Sequence, residues 1–239
     1  MRTTARRFAA AVAGLLTTAV VALVGSPSSH AALTVISPGE EVDYINPGGR
    51  NQFCTIGYVY TGDDMHTYAI TAGHCRADQA AGYARDKRNG LTGDFVRSVF
   101  EPPRTGGGDY ALIDFHTNSL ASPFIVDQRM PFMDGHPEPQ IGETVCRLGV
   151  SSGQQCGQIA ASQGQDQYLT TGMPPSIPGD SGGPVWTPTA HGFPQIIGIW
   201  LGEKTTAAGQ EYGRFASLSS GLRALNAPGH LGQNSSSPE

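Results

Sequence analysis

The feature that most restricts this chain is a long series of short apolar and β-branched runs separated by turn residues. From Cys54 onward they read "CTIGYVYT", "TYAIT", "DFVRSVF", "DYALIDFH", "TVCRLGV", "CGQIAAS", "QYLTT", "GPVWT", "QIIGIWL" and "YGRFAS". Runs of this length, punctuated this often, suit the strands of an all-β sandwich or barrel. With 32 glycines and 17 prolines in 239 residues, and 15% charged, the chain has the turn chemistry such a fold demands. A helix is indicated only near the end. There "SLSSGLRALNA", residues 217–227, sets Leu218, Leu222 and Leu225 at helical spacing behind serine caps, with Gly229 beyond Pro228.

Residues 116–143 break the pattern, with four prolines and little alternation, and read as a connector between two β halves. The expected organisation is a leader over 1–31, an N-terminal β unit over 32–130, a C-terminal β unit with its helix over 131–228, and a disordered tail over 229–239. The leader has the layout of a secretory signal peptide: Arg2, Arg6 and Arg7, an apolar run from Phe8 to Val24, and small residues around a cut after Ala31 or Ala32. The run is only marginally long enough to span a bilayer, which leaves a membrane anchor as the lesser reading. Phe8 directly after the Arg pair favours the general export route over the twin-arginine one. Secretion, with no stable membrane association after cleavage, is the expectation. Between the expected cut and Val35 there is space for only a few residues of pro-segment.

Cys54, Cys75, Cys146 and Cys156 are an even set in a chain expected to be exported, and disulfides follow. Three pairings exist; Cys54–Cys75 and Cys146–Cys156, each closing a short local loop, are favoured. A zinc site using His74 fails on spacing, and no metal is expected. The net charge of −5 and a pI near 5.8 argue against a nucleic-acid binder.

Three places carry chemistry when read together. "ITAGHC" sets His74 just after a β run, "GGGDYALIDF" sets Asp109 at the start of another, and "GDSGGP" sets Ser181 in a glycine-rich turn. Serine is a poor nucleophile at neutral pH and needs a base and oxyanion donors. An imidazole can take its proton and return it to a leaving group, while a buried carboxylate fixes the imidazole's tautomer. The backbone amides of Gly179 and Ser181 can converge on a developing oxyanion, and Gly at 179 permits backbone geometry that a Cβ hinders.

These segments, "TAGHC", "DYALI" and "GDSGGP", resemble the signatures of trypsin-like, chymotrypsin-fold serine proteases in that family's His-Asp-Ser order. "NPGGRNQFCTIGYVY" and "IGETVCRLGVSSGQQCGQI" are similar to the secreted bacterial branch that includes streptogrisins. The resemblance spans about residues 35–226. It implies two six-stranded antiparallel β-barrels with the active site in the cleft between them, His74 and Asp109 from the first and Ser181 from the second. It also implies a buried pair between Asp180 and Arg147, shaping the oxyanion loop, and a substrate pocket drawing on Pro175, Ser176, Trp200, Leu201, Gly202, Glu203 and Glu211.

The chain departs from that family in five respects. Between the expected cut and Val35 there is room for only a few residues where relatives usually carry a long pro-region, and no cysteine stands in the pocket segments "MPPSIPGDSGG" and "WLGEKTTAAG". Leu201 occupies the place of a serine that supports the catalytic aspartate in relatives. Pro175 stands where trypsin-type enzymes keep an aspartate, so the usual basis for cutting after Lys or Arg is absent. Glu203, where relatives often keep glycine, narrows or charges the entrance; Glu203 and Glu211 otherwise read as solvated loop acids.

Other residues take bland readings. His66, His116, His136, His191 and His230 receive no role, Asp63 and Asp64 are turn formers rather than calcium ligands, and Trp186 and Trp200 are core, with Trp200 also a candidate for the cleft.

The expectation is therefore a secreted, monomeric serine endopeptidase acting on polypeptides through an acyl-enzyme, without a cofactor. The alternative is a catalytically weak or inactive trypsin-fold binding protein, motivated by Leu201. An esterase on the same site is a further reading; an α/β-hydrolase is excluded by the residue order and the lack of alternating helices.

Overall fold

The strands fall where the apolar runs stand, because alternating β-branched side chains pack well on a pleated surface. The computed structural model describes residues 33–49, 51–76, 82–101, 106–128, 131–188 and 193–229. The expected leader, His191, His230 and all of the expected tail but Gly229 lie outside the described residues. Among the described residues no helix is long and apolar enough to cross a membrane.

The first half holds β1 (Thr34–Ile36), β2 (Glu41–Ile45), β3 (Gln52–Thr55), β4 (Tyr58–Thr61), β5 (Thr67–Thr71), β6 (Tyr83–Asp86), β7 (Thr92–Phe100), β8 (Asp109–Asp114) and β9 (Ser119–Ala121). The second holds β10 (Thr144–Gly149), β11 (Gly153–Gln163), β12 (Gln167–Thr171), β13 (Pro184–Pro188), β14 (Pro194–Thr205) and β15 (Glu211–Ser217), followed by α1 (Leu218–Ala224).

β10 to β15 close into a six-stranded barrel in the order β10-β11-β12-β15-β14-β13. The first half differs in detail from a closed six-stranded barrel. It is a seven-stranded sheet, β3-β2-β6-β7-β8-β5-β4, with β1 and β9 pairing separately and in parallel. Its two edges, β3 and β4, are joined by Ile56 and Gly57 alone, so the sheet curls back on itself. It does not seal because the amides at the seam are spent elsewhere: Thr55 on Ser181, Ile56 on Glu40 and Gly57 on Ile70. The all-β, two-barrel architecture is thus present, with one barrel closed and one held as a half-barrel.

β8 is buried along its whole length, as a strand between two packed layers must be. One apolar cluster runs through the first half and into α1, including Ile56, Ile70, Ile113, Ile199 and Leu222. The second, inside the closed barrel, comprises Val145, Ile159, Val185, Ile197, Trp200 and Phe215. Ser217 caps α1 by accepting from the Ser220 amide, and Leu218, Leu222 and Leu225 turn inward, as their spacing indicated. Asp64 accepts from the His66 amide and the Tyr68 hydroxyl, so it works within its turn.

The disulfides are Cys54–Cys75 and Cys146–Cys156. The first ties β3 to the segment that carries His74. The second bridges directly opposed positions of the β10–β11 ladder.

Candidate active site

His74 sits in a single 3-10 turn, Gly73–Cys75, immediately after β5. Its amide donates to Asp109 Oδ1 at 2.8 Å, and its Nδ1 lies 2.8 Å from Asp109 Oδ2. Two bonds from one carboxylate therefore fix both the backbone and the ring. An Asp109 carboxylate can only accept here, so Nδ1 carries the proton and Nε2 is left as the acceptor. The Asp109 side chain is buried, whereas the His74 side chain keeps 27% of its surface exposed, which gives the ring access to a substrate. Gly73 is obligatory at this point: a Cβ there would collide with the Val99 carbonyl and the Tyr110 backbone.

Ser181 arrives from the closed barrel, in the turn before β13. Its carbonyl accepts from the Thr55 amide at 2.8 Å and lies 3.9 Å from Cys75 Sγ, so its backbone is packed against the residue next to His74. Gly182, at φ +86°, makes this approach possible, since a Cβ there would overlap Thr71 Oγ1 and the Thr55 carbonyl. Among the described residues no hydrogen bond joins the Ser181 hydroxyl to the His74 ring; such contacts are often long before substrate binds. The structure thus joins His74 to Asp109 directly and brings the Ser181 backbone alongside them.

The turn before Ser181 is strongly held. Gly179 adopts φ +103°, and a Cβ would strike the Phe53 ring and Ser151 Oγ. Its carbonyl accepts from the Thr55 hydroxyl at 2.8 Å. Among the described residues the Gly179 and Ser181 amides have no acceptor, which leaves two donors in one turn available to an anion.

Asp180 and Arg147 are brought together as the resemblance implied. Arg147 Nη1 lies 3.3 Å from Asp180 Oδ2, with side chains 0% and 1% exposed. Asp180 also accepts from the amides of Ser151, Ser152 and Ile177 at 2.9–3.1 Å. Arg147 donates to Ser152 Oγ and stacks 4.6 Å over the Trp200 ring. Burial pushes the Arg147 guanidinium below its usual range, and Asp180 and Glu203 pull it back.

The expected pocket residues separate. Pro175 and Glu211 are exposed, and Glu211 is solvated as read from the sequence. Trp200 is fully buried inside the closed barrel, so its ring is core. Glu203 is a correction to the solvated-acid reading: it is half-buried and accepts from the Ser176 amide at 2.6 Å and the Ser176 hydroxyl at 2.5 Å. The half-buried Gly202 precedes it at φ +99°, facing Ser176. Glu203 thus ties β14 to the loop before Ser181.

Leu201 falls at a bulge in the β14–β15 ladder and packs as buried core, offering no hydroxyl. Sequence reading missed what stands nearby. Arg214, on β15, is 6% exposed and has Nη2 3.5 Å from the Leu201 carbonyl and Nη1 3.4 Å from Gln167 Oε1. Gln167 in turn donates to the Gly107 carbonyl, two residues before Asp109, at 2.6 Å. Among the described residues no carboxylate lies within 4.0 Å of Arg214. Burial pushes its guanidinium below the usual range, and the charge of Asp109 opposes that shift. The only sequence signal was an arginine inside the apolar run "YGRFAS".

No protein-family model matches the chain. The chain is 31% identical over 213 residues to the Mycobacterium tuberculosis protein Rv1815, described as uncharacterized, covering 84% of this chain and 86% of that one. It is 28% identical over 156 residues to Serine protease 2 of Streptomyces fradiae, covering 61% of this chain and 84% of that one. Among solved structures, Thermobifida fusca Protease A aligns with a TM-score of 0.61 at 22% identity, covering 81% of this chain and 97% of that one.

Proposed function

The chain belongs to the bacterial chymotrypsin-fold serine proteases, and from that premise we propose that it is an exported endopeptidase that cleaves polypeptides through Ser181. The observation that carries this reading is the pair of hydrogen bonds from His74 to Asp109, which leaves Nε2 as the acceptor on a partly exposed ring.

In the proposed reaction Ser181 Oγ attacks the scissile carbonyl carbon as His74 Nε2 takes its proton. The oxyanion is received by the amides of Gly179 and Ser181, each donor being worth roughly 3 kcal/mol in the barrier. Collapse of the tetrahedral intermediate breaks the C–N bond, and the leaving amine takes the proton from Nε2. Water then repeats the sequence on the acyl-enzyme and returns the free serine.

Two buried cations support this site in our reading. Arg147 neutralises Asp180 and so holds the turn in which the oxyanion donors stand. Arg214 supplies from β15 the favourable field at Asp109 that Leu201, having no hydroxyl, does not. Glu203, tied to Ser176, would set an acid beside the loop before Ser181 and so bear on which side chain is accepted before the cut.

The test is hydrolysis of an unstructured protein and of a peptide panel with basic, acidic and apolar residues before the cut, using the mature protein and its Ser181→Ala variant. Turnover lost in the variant supports the proposal. Tight binding of peptides by both proteins without turnover would support the binding-protein reading instead.

A further inference from the structure

At the far end of the β5–β8 ladder from His74 and Asp109 lies a second cluster of titratable side chains that the proposed reaction does not use. Asp114 ends β8, His66 directly precedes β5, and His116 follows Asp114 by two residues. His66 Nδ1 lies 3.0 and 2.9 Å from the two oxygens of Asp114. His116 Nδ1 is 3.7 Å from Asp114 Oδ2, and its Nε2 is 3.4 Å from Asp94 Oδ2.

We propose that His66, Asp114 and His116 form a binding site for a divalent transition-metal ion such as Zn²⁺, with Asp94 closing the fourth side. One ligand atom from each of the three lies within 4.8 Å of the others. Tetrahedral zinc with bonds of about 2.0–2.2 Å to nitrogen and oxygen sets neighbouring ligand atoms about 3.3–3.6 Å apart. The observed separations fall on both sides of that range, so small side-chain rotations suffice. The two imidazole rings cross at 76° with centroids 5.9 Å apart, converging on the carboxylate rather than stacking.

A separate observation points to a cation. Asp94 and Asp114 are directly opposed across the β7–β8 ladder. Like charges in that position repel and weaken a sheet. A metal held between them would turn that repulsion into a tie across three strands.

The ligand types select the metal class. Two imidazoles and carboxylates suit zinc, cobalt, nickel or copper, whereas calcium and magnesium prefer all-oxygen shells. An entry path exists, because the His66, His116 and Asp94 side chains keep 32%, 47% and 67% of their surface exposed while Asp114 is sheltered. For His66 Nδ1 to bind the metal, the proton it now shares with Asp114 must leave that nitrogen, and the neutral ring then carries its proton on Nε2. Sequence reading gave neither histidine a role, because His66 stands 48 positions from Asp114 and only the β5–β8 register brings it to Asp114 and His116.

The experiment uses the mature chain, first stripped with a chelator. Zn²⁺ is added in a thermal-melt series with Ca²⁺ as control, and Co²⁺ serves as a spectroscopic probe. The expected results are a rise in Tm of several degrees with Zn²⁺ alone and visible d–d bands with Co²⁺. His116→Asn, chosen because asparagine tolerates the left-handed backbone at this position (φ +60°), should melt like the parent without metal. It should also lose the bands, or weaken binding at least ten-fold. His66→Ala should do the same, and His74→Ala should keep the bands, which separates this site from the proposed triad. Absence of both the Tm rise and the bands would overturn the inference. So would bands that survive His116→Asn and His66→Ala but vanish in His74→Ala.

Discussion

The Thr55 hydroxyl donates to the Gly179 carbonyl at 2.8 Å, so a fully buried residue of the half-barrel holds the turn of the closed barrel that carries Ser181. The Thr55 amide holds the other end of the turn through the Ser181 carbonyl, and Thr55 Oγ1 accepts from Val150. Thr55→Val keeps the shape and removes the hydroxyl, leaving one buried carbonyl and one amide without that partner, at about 1–3 kcal/mol each. We expect kcat to fall about ten-fold with little change in KM, since the loss falls on oxyanion donors used only in the transition state. Steady-state kinetics on one peptide substrate check this. A rise in KM with kcat unchanged would show that Thr55 serves substrate binding instead.

Arg147 and Asp180 form a pair removed from water, and breaking such a pair by deleting one partner costs about 3–5 kcal/mol. Arg147→Met should therefore lower Tm markedly and reduce kcat at a temperature where the variant is still folded. Replacing both partners, Arg147→Met with Asp180→Asn, should recover part of the stability because no uncompensated charge remains. Near-normal turnover in the single variant would remove Arg147 from the account of the oxyanion loop.

Arg214 lies close enough to oppose the charge of Asp109, and its removal would leave that carboxylate acting on His74 alone. Arg214→Met should lower kcat and move the acid limb of its pH profile upward, because the imidazolium is then more strongly stabilised. Adding Leu201→Ser in the same background should restore part of the rate. A pH profile that does not move, with only KM altered, would make Arg214 a packing residue.

These cases mark where the sequence was legible. His74, Asp109 and Ser181 each lie in a short segment whose local chemistry is self-explanatory, and the strand runs announced themselves by β-branched alternation. Thr55, Gln167 and Arg214 act through partners more than 40 residues away, so no local pattern marks them. The half-barrel escaped sequence reading for the same reason. Its seam depends on where the amides of Thr55, Ile56 and Gly57 find acceptors, and its parallel β1–β9 pair joins segments 85 positions apart in register.

Asp86 gives a pH dependence of stability unrelated to catalysis. Its carboxyl is pushed up to about 6 by burial, with Glu40 adding to the shift. The folded state holds this proton more tightly than an unfolded chain does. The stabilising contribution is therefore present below about pH 4 and is lost as pH rises through about 6, a change of up to ~3 kcal/mol. Asp86→Asn removes the charge at constant shape. Its Tm should exceed that of the parent at neutral pH, with the gap closing toward pH 4; a gap independent of pH would contradict this origin.

The central claim is that Asp109 and His74 activate Ser181, and covalent labelling reads it directly. The mature protein is treated with a fluorophosphonate and the modified residue is located by peptide mass spectrometry. The account expects a single adduct on Ser181, formed at least a thousand-fold more slowly in His74→Ala. An adduct on another residue, or labelling of Ser181 at an undiminished rate in His74→Ala, would contradict it.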